Sequence, residues 1–277
     1  YDANTYTMAL TPNAVSGLGY ALQYVQTAQV VVTPRNLTVT ANQDGKFVGE
    51  ADATGYAGVS YTGLARGETS AVLTGTLNIT RSPATETLGV YTDALTPAGL
   101  SSNNYNITFA KGNYYIVDNS TLLVKVGTAS GIYGSSPTYD VTQVSYLLQG
   151  QSGVTQLNQV GGNEFLWAKT GNAAATIGFS LAPVATDAGS QKINGTLGVN
   201  TLGDAGSLNR VLVTGTVNIA PRPLTLSGTK VYDGTLDVTA GVTLGNTVAG
   251  DAVTVTAARV SDANVATANK FITSATL

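Results

Sequence analysis

The chain repeats itself at a spacing of 85 residues, and this self-similarity limits the folds that it can adopt. Residues 6–33 align without a gap on residues 91–118. The aligned pairs include Tyr6 with Tyr91 and the tetrapeptide Ala-Leu-Thr-Pro in both segments. Arrays of similar modules serve reach or multivalent display, and seldom catalysis.

Two shorter echoes suggest where one module ends and the next begins. Residues 34–38 (PRNLT) return as 221–225 (PRPLT), and residues 74–79 (TGTLNI) return as 214–219 (TGTVNI). The Pro-Arg-x-Leu-Thr element predicts a link in which the last strand of one module passes into the first strand of the next. Pro34 and Pro221 are therefore expected in irregular backbone, where a missing N–H costs no ladder bond. The predicted units are the closing part of a truncated β-module (1–33), a complete module (34–118), a longer complete module (119–220) and the opening part of another (221–277).

The composition is typical of an all-β protein. Charged residues make up only 10% of the chain, against roughly 25% in typical domains, and β-branched Thr and Val suit a pleated sheet. The run Leu37-Thr38-Val39-Thr40 alternates apolar with hydroxyl side chains, as in a half-buried strand. A period near 85 is too long for solenoid coils of about 20–30 residues. We expect tandem small β-sandwich or β-grasp-like modules, stacked end to end into an elongated rod.

Several classes of function lack the residues that they need. Without Cys there is no disulfide, thiol nucleophile or soft metal ligand, and without His the commonest general base is missing. A net charge of −3 with dispersed Lys and Arg argues against nucleic acid as a partner, and no apolar run approaches the roughly 20 residues of a membrane helix. Asp44, Glu50 and Asp52 are too sparse for a calcium loop. The sequence predicts no enzyme activity, no cofactor and no metal site.

Two motifs resemble small repeats of large bacterial surface adhesins. Residues 223–234 (PLTLSGTKVYDG) resemble the opening of a YDG repeat, with Tyr232-Asp233-Gly234 as the motif that gives it its name. Residues 119–140 resemble the opening of an MBG repeat, with Tyr133-Gly134 as the Tyr-Gly pair, whereas residues 34–118 have Val48 in place of that tyrosine. The resemblance implies that 34–118 and 119–220 are MBG-like modules and that 221–277 opens a YDG-like one.

The same resemblance implies a function and a location. MBG and YDG repeats occur in filamentous adhesins, often of the two-partner-secretion type, which carry binding regions away from the outer membrane. The chain is then expected to be a structural stalk or fibre segment at the bacterial surface or secreted, in adhesion or biofilm. Its partners would be neighbouring modules of the same chain, neighbouring copies in a filament, and host or matrix glycan.

An alternative function is a glycan- or protein-binding module that uses the non-repeating stretch 143–190. Phe165 and Trp167 are its candidate ligand contacts, because an exposed Trp stacks on sugar rings or anchors a protein partner. The competing interpretation is that Trp167 fills a larger core in the longer module.

The motif residues have a structural interpretation as turns. In Tyr232-Asp233-Gly234 the Asp is expected to cap its own backbone, the Gly to take a positive φ and the Tyr to cover a sheet edge. The same interpretation holds for Tyr133-Gly134. Tyr20 and Tyr105 occupy equivalent repeat positions, so each is expected to pack in its module while its hydroxyl reaches a carbonyl.

The two ends of the chain read as half-modules. Residues 1–33 and 221–277 cannot each bury both faces of their strands, and a chain that opens on Tyr1-Asp2 is expected to be an internal piece of a longer protein. We expect the ends to be completed by neighbouring copies in a filament, by an adjoining stretch of a longer chain, or by a different pairing.

Overall fold

The computed structural model describes residues 2–7, 29–65, 67–161, 163–203 and 208–277. These residues form 21 β-strands and two short 3₁₀ turns, Ser70–Val72 and Thr239–Gly241, and they include no α-helix. The all-β prediction is confirmed. Pro34 and Pro221 both lie in irregular backbone between strands.

The N-terminal ribbon consists of two antiparallel strands, β1 (Asn4–Thr7) and β2 (Gln29–Val32). Just before β1, the Ala3 N–H donates to Asn104 Oδ1 at 2.7 Å, so the ribbon contacts the next unit of the chain. After β2 the chain passes through Thr33 and Pro34 directly into that unit.

Module A, residues 34–118, contains two sheets. Its strands are β3 (Arg35–Ala41), β4 (Asp44–Phe47), β5 (Val59–Thr62), β6 (Thr74–Arg81), β7 (Gly89–Ser101), β8 (Tyr105–Ala110) and β9 (Gly112–Val117). One sheet has the order β5-β3-β8 and the other β4-β9-β7-β6. Strand β3 is parallel to β8, and β4 is parallel to β9.

These parallel pairs form a ribbon that runs the length of module A. We call β3–β4 its opening strand and β8–β9 its closing strand; both cross from one sheet to the other. Leu37 and Val39 of the opening strand are buried and lie opposite Ile107 and Phe109 of the closing strand. Because the two strands are parallel, the chain enters the module at one end of the ribbon and leaves at the other.

Module B, residues 119–220, has the same plan in one sheet that closes on itself. Its strands are β10 (Thr121–Ile132), β11 (Thr138–Leu147), β12 (Val154–Val160), β13 (Asn163–Lys169), β14 (Asn172–Pro183), β15 (Gly189–Asn200), β16 (Arg210–Thr214) and β17 (Thr216–Ala220). The opening strand β10 is parallel to the closing strand β16–β17 and antiparallel to β11, which completes the ring. The stretch 143–190, where the sequence pattern loosens, contains regular strands that include the additional hairpin β12–β13.

Unit C, residues 221–277, is far more open. It has two antiparallel pairs, β18 (Thr225–Gly228) with β19 (Val242–Gly245), and β20 (Ala257–Val260) with β21 (Ile272–Thr276). Ala258 is its only buried residue. No strand among its residues runs parallel to β18, so unit C lacks the closing strand that modules A and B have.

The echo between residues 74–79 and 214–219 falls on strands in different places. The first segment lies in β6, next to β7, whereas the second lies in the closing strand of module B. Both contain a glycine with positive φ, Gly75 (+91°) and Gly215 (+103°), where a Cβ would lie within 2.5 Å of a backbone oxygen. The shared sequence encodes the same local bend and not the same position in a module.

Candidate interaction sites at the module junctions

The junction between modules A and B is built as a small hydrophobic core. Phe47 ends the opening strand of module A, and it is fully buried together with Val117, which ends the closing strand. From module B, Leu123 of β10 and Leu147 of β11 complete the cluster. The two modules therefore share buried apolar surface at the joint.

A buried carboxylate lies beside this cluster. Asp44 is 2% exposed, and its Oδ1 accepts a hydrogen bond from the Gly45 N–H at 2.7 Å and lies 3.5 Å from Lys125 Nζ of module B. Burial raises the pKa of Asp44, although the Lys125 ammonium opposes this shift. Next to it, Gln43 Nε2 donates to the Val213 carbonyl at 2.7 Å. Polar contacts thus fix the orientation of the apolar joint.

The junction between module B and unit C is polar and centres on a turn at Tyr133-Gly134. The Tyr133 N–H donates to the Ala220 carbonyl at 2.9 Å, and the Tyr133 carbonyl accepts from Arg222 Nε at 2.8 Å. The Tyr133 hydroxyl donates to Asp251 of unit C at 3.2 Å, which raises the pKa of Tyr133. The tyrosine therefore bridges the two units.

Arg222 is the second bridging side chain of this junction. Its Nη1 donates to Asn246 Oδ1 in unit C at 3.0 Å, and its Nη2 donates to Ser135 Oγ in module B at 2.8 Å. One planar guanidinium thus contacts both sides of the joint, which is a geometry that Lys does not reproduce.

Gly134 is required at this junction for two reasons. Its φ is +76°, a conformation that L side chains rarely adopt, and a Cβ there would lie 2.2 Å from Val248 Cγ2 of unit C. The structure therefore places the Tyr-Gly pair in a turn against which the next unit packs.

The Tyr232-Asp233-Gly234 segment of unit C bends in a similar way, but no other unit of the chain packs against its glycine. Asp233 pairs with Lys230 Nζ at 2.6 Å and accepts from the Thr235 N–H at 2.9 Å, and these contacts lower its pKa to about 2. Gly234 also has a φ of +76°, yet nothing lies within 4 Å of where its Cβ would be. Tyr232 is 63% exposed, and its expected place over a sheet edge stays a prediction.

The two candidate ligand contacts of the binding-module alternative lie in module B. Trp167 is 6% exposed and belongs to the hydrophobic core, which is where the core-filling interpretation puts it. Phe165 packs edge-on against Tyr139 and Phe179, with ring centroids 6.4 and 6.2 Å away. Neither ring is presented as an open platform. Ligand contact at these residues remains a prediction, which glycan binding by the chain and its loss in Trp167→Ala would test.

Of the two tyrosines at equivalent repeat positions, Tyr105 lies among the described residues. Tyr105 is 5% exposed, and its hydroxyl donates to the Glu68 carboxylate and accepts from the Ala65 N–H at 2.8 Å. Its partner is thus a carboxylate and not the expected carbonyl. Tyr20 lies outside the described residues.

Sequence reasoning missed a network of four charges inside module A. Lys46 Nζ lies 2.7 Å from Asp52 Oδ1 and 2.5 Å from Glu86 Oε2, and Arg81 contacts the same two carboxylates at 2.7 and 2.5 Å. Lys46 and Arg81 are nearly inaccessible, and the Arg81 guanidinium stacks over the ring of Tyr114 at 4.7 Å. The network ties two loops to the sheet.

The network controls the titration of its carboxylates. Burial acts to raise the pKa of Asp52, but hydrogen bonds from Lys46 and Arg81 outweigh it and hold that pKa well below its ordinary value. Hydrogen bonds from the same two cations also lower the pKa of Glu86. No signal in the sequence connects Lys46 with Glu86, because loop convergence depends on the fold.

Comparison with known proteins identifies part of the chain. Residues 37–115, within module A, match the family model described as MBG domain (YGX type). This match shows the resemblance to MBG-type repeats for that segment; the family is a repeat domain of surface proteins and is typically non-enzymatic. No curated protein and no solved structure matches the chain.

The described residues include no helix with the length and apolar character that crossing a membrane requires. They also contain no cluster of three or more His, Cys, Asp or Glu side chains that could hold a metal ion.

Proposed function

We propose that this chain is a structural segment of a bacterial surface protein, a stalk of tandem β-modules that extends and displays distal binding regions in adhesion or biofilm. The MBG-type match of module A supports the class of protein. The finer role rests on how the chain passes through each module.

The observation that carries the proposal is the parallel pairing of opening and closing strands. In module A the pairing runs from Arg35 with Tyr105 to Phe47 with Val117, and in module B from Thr121 with Arg210 to Ile132 with Ala220. Entry and exit therefore lie at opposite ends of each ribbon. At about 3.3 Å per residue, each opening strand covers about 40 Å along the chain direction.

The joints between units are short and make specific contacts. Three residues separate β9 from β10, and four separate β17 from β18. With little linker to bend, and with packing at each joint, successive units extend one another and do not swing freely.

The strand arrangement also suits a chain under tension. Force applied at the two ends of a module pulls its opening and closing strands past each other, so the hydrogen bonds of the ladder are loaded together and not one at a time. Such a module resists extension better than one in which the pulled strands unzip from an end.

Small-angle X-ray scattering of the chain tests the stalk. A compact globule of 277 residues has a radius of gyration of about 19 Å. We expect a value well above this, with the scattering profile of a rod. A value near that of the globule would overturn the proposal, because the modules would then fold back on one another.

A further inference from the structure

A polar cleft, which we call the junction cleft, lies where module B packs beside module A. Its volume is about 270 Å³. Module A supplies one wall from residues within 40–43, 60–62 and 111–113, and module B supplies the other from β15 and β17. Ligand sites occur preferentially at such boundaries between domains, with volumes of about 300–1,000 Å³. The junction cleft is close to the small end of this range, which suits a single residue of a polymer.

The wall from module A forms where its ribbon crosses from one sheet to the other. At this crossing the opening and closing strands approach so closely that a Cβ on Gly112 would lie 2.4 Å from the Ala41 carbonyl oxygen. Asn42 Nδ2 donates to the Ala57 carbonyl at 2.8 Å, and Thr216 Oγ1 of module B donates to Asn42 Oδ1 at 3.4 Å. The cleft is thus preformed in the folded protein, which lowers the entropy cost of binding.

Two lysines, one from each module, line the cleft without an ion-pair partner. Lys111 follows β8 in module A, and Lys192 lies in β15 of module B. Both are exposed, and neither forms a salt bridge with any Asp or Glu among the described residues. Lys46 and Lys125, by contrast, are paired with carboxylates. An ammonium group without a partner is available to bind an anionic group.

The rest of the lining offers hydrogen bonds. Ser60 lies directly opposite Thr40 in the β3–β5 ladder, so their hydroxyls share one face, and Ser190 of module B adds a third hydroxyl. Each hydroxyl can donate and accept, and so can the amide of Asn113. The described residues that line the cleft include no aromatic side chain. With no ring for stacking, a ligand must be held by hydrogen bonds and charge, which favours a polar, charged ligand over an apolar one.

The carboxylate in the cleft bears on the choice of ligand. Among the described residues that line it, Asp93 alone is acidic, so two lysines against one aspartate leave one positive charge in excess. Asp93 has a φ of +53°, and its N–H donates to Asn113 Oδ1 at 3.1 Å. Residues other than glycine in this conformation cluster at functional sites. A carboxylate only accepts hydrogen bonds, so it suits the hydroxyl group of a sugar and repels a bare anion.

We infer that the junction cleft binds an acidic sugar residue of a polysaccharide. The carboxylate or sulfate group of the sugar binds Lys111 and Lys192, and its hydroxyl groups bind Asp93 and Asn113. The inference goes beyond the proposed function, because the stalk itself, and not only the regions that it displays, then holds a polysaccharide.

Isothermal titration calorimetry of the full chain tests the inference. The probes are oligogalacturonate, which carries carboxylates, and dextran sulfate, which carries sulfates, so the two arms distinguish the two kinds of acidic sugar. We expect saturable binding of at least one probe, weakened by added salt because the attraction between ammonium and anion is screened. Unmodified dextran, which has no charge, should not bind. Absence of binding by both acidic probes, or equal binding of dextran, overturns the inference.

Removal of single charges locates the site. Lys111→Gln and Lys192→Gln should each weaken binding about 10-fold, because each removes one charge-assisted contact. Lys270→Gln is the matched control, since Lys270 is exposed in unit C and the variant loses the same charge at a distance from the cleft. All three lysines are exposed, so circular dichroism of each variant should match the parent chain. An equal loss of affinity in all three variants would show attraction to the chain as a whole and overturn the site.

Polyglutamate separates a sugar site from a general anion site. It supplies carboxylates without hydroxyl groups, so we expect it to bind at least about 10-fold more weakly than the acidic sugar. Asn113→Ala should weaken binding of the sugar and leave that of polyglutamate unchanged. If polyglutamate binds as tightly as the sugar, the cleft recognises charge alone and the assignment to a sugar is wrong.

The outcomes distinguish this inference from the stalk proposal. A chain that scatters as a rod but binds neither acidic probe keeps the stalk and loses the cleft. A compact chain that binds an acidic sugar through Lys111 and Lys192 has the reverse meaning.

Discussion

The junctions on the two sides of module B are held by different kinds of interaction. Between modules A and B, Phe47 and Leu123 belong to one buried apolar cluster, with the Asp44–Lys125 pair beside it. Between module B and unit C, the joint is made by hydrogen bonds from Tyr133 and Arg222 around a glycine turn. Apolar burial resists salt and is lost only when a module opens, whereas exposed polar contacts are worth little each. A tandem protein can therefore set the stiffness of each joint separately.

The largest effect is expected from the apolar joint. Phe47→Ala should reduce the free energy of unfolding of modules A and B by about 3–5 kcal/mol, because it leaves a cavity in a cluster that both share. Urea denaturation followed by circular dichroism measures it. Phe271→Ala, at a site that is 65% exposed, is the control and should cost less than about 0.5 kcal/mol. A loss below about 1 kcal/mol at Phe47 would mean that the modules do not depend on this core.

The next effect separates backbone strain from contact at the polar joint. Gly134→Ala and Gly234→Ala both place a side chain at a φ of +76°, but only the first meets a neighbour, Val248. We expect Gly234→Ala to cost about 1 kcal/mol and Gly134→Ala about 2–3 kcal/mol in thermal or urea unfolding. Val248→Ala should recover part of the Gly134→Ala loss. Equal costs for the two glycine variants would show that unit C does not press on the turn.

A smaller effect, the change of stability with pH, distinguishes Asp44 at the apolar joint from the charge network of module A. The pKa of Asp44 is raised, so the native state holds its proton more tightly and this group stabilises the fold more as pH falls below the raised pKa. The pKa values of Asp52 and Glu86 are lowered, so their contribution is present above their ordinary values and is lost as pH falls through the lowered ones.

Asp44→Asn removes the pH dependence that comes from Asp44 and leaves the one that comes from Asp52 and Glu86. Relative to the parent chain, the variant should gain stability as the pH rises from about 4 to about 7, because only the parent must ionise a buried carboxyl. Urea unfolding at a series of pH values measures this difference. A pH-independent difference between the two proteins would contradict the raised pKa of Asp44.

The smallest effect is expected from the guanidinium at the polar joint. Arg222→Lys keeps the charge but cannot contact Asn246 and Ser135 with one planar group, and the loss should be about 0.5–1 kcal/mol. Exchange of backbone amides in residues 221–250 should rise while modules A and B stay unchanged. If amide exchange rose equally in all units, Arg222 would stabilise the whole chain and not this joint alone.

Local features of the fold were predictable from sequence. The alternation of Leu37 to Thr40 gives a strand with a buried face, and the β-branched composition excludes helix. The Pro-Arg elements mark irregular backbone before module A, at Pro34, and before unit C, at Pro221, because proline has no N–H for a ladder. These predictions depend on residues that are adjacent in the chain.

Features that depend on distant residues were not predictable. The closure of the module B sheet requires β10 to pair with three other strands, and no periodicity encodes that choice. Lys46 and Glu86 meet because two loops converge on one face of a sheet. The Tyr133-Gly134 motif did predict a turn, but its role at the joint becomes visible only when Val248 is placed beside Gly134.

The pairing of first with last strands also governs when a module can fold. Leu37 of β3 pairs with Ile107 of β8, which follows 70 positions later in the chain. The ribbon of module A therefore cannot close while its closing strand is still inside the ribosome. Contacts of such long sequence separation form late and slowly. We therefore expect each module to complete its fold only when its own last strand has emerged, so that the protein assembles in steps, one module for each completed strand.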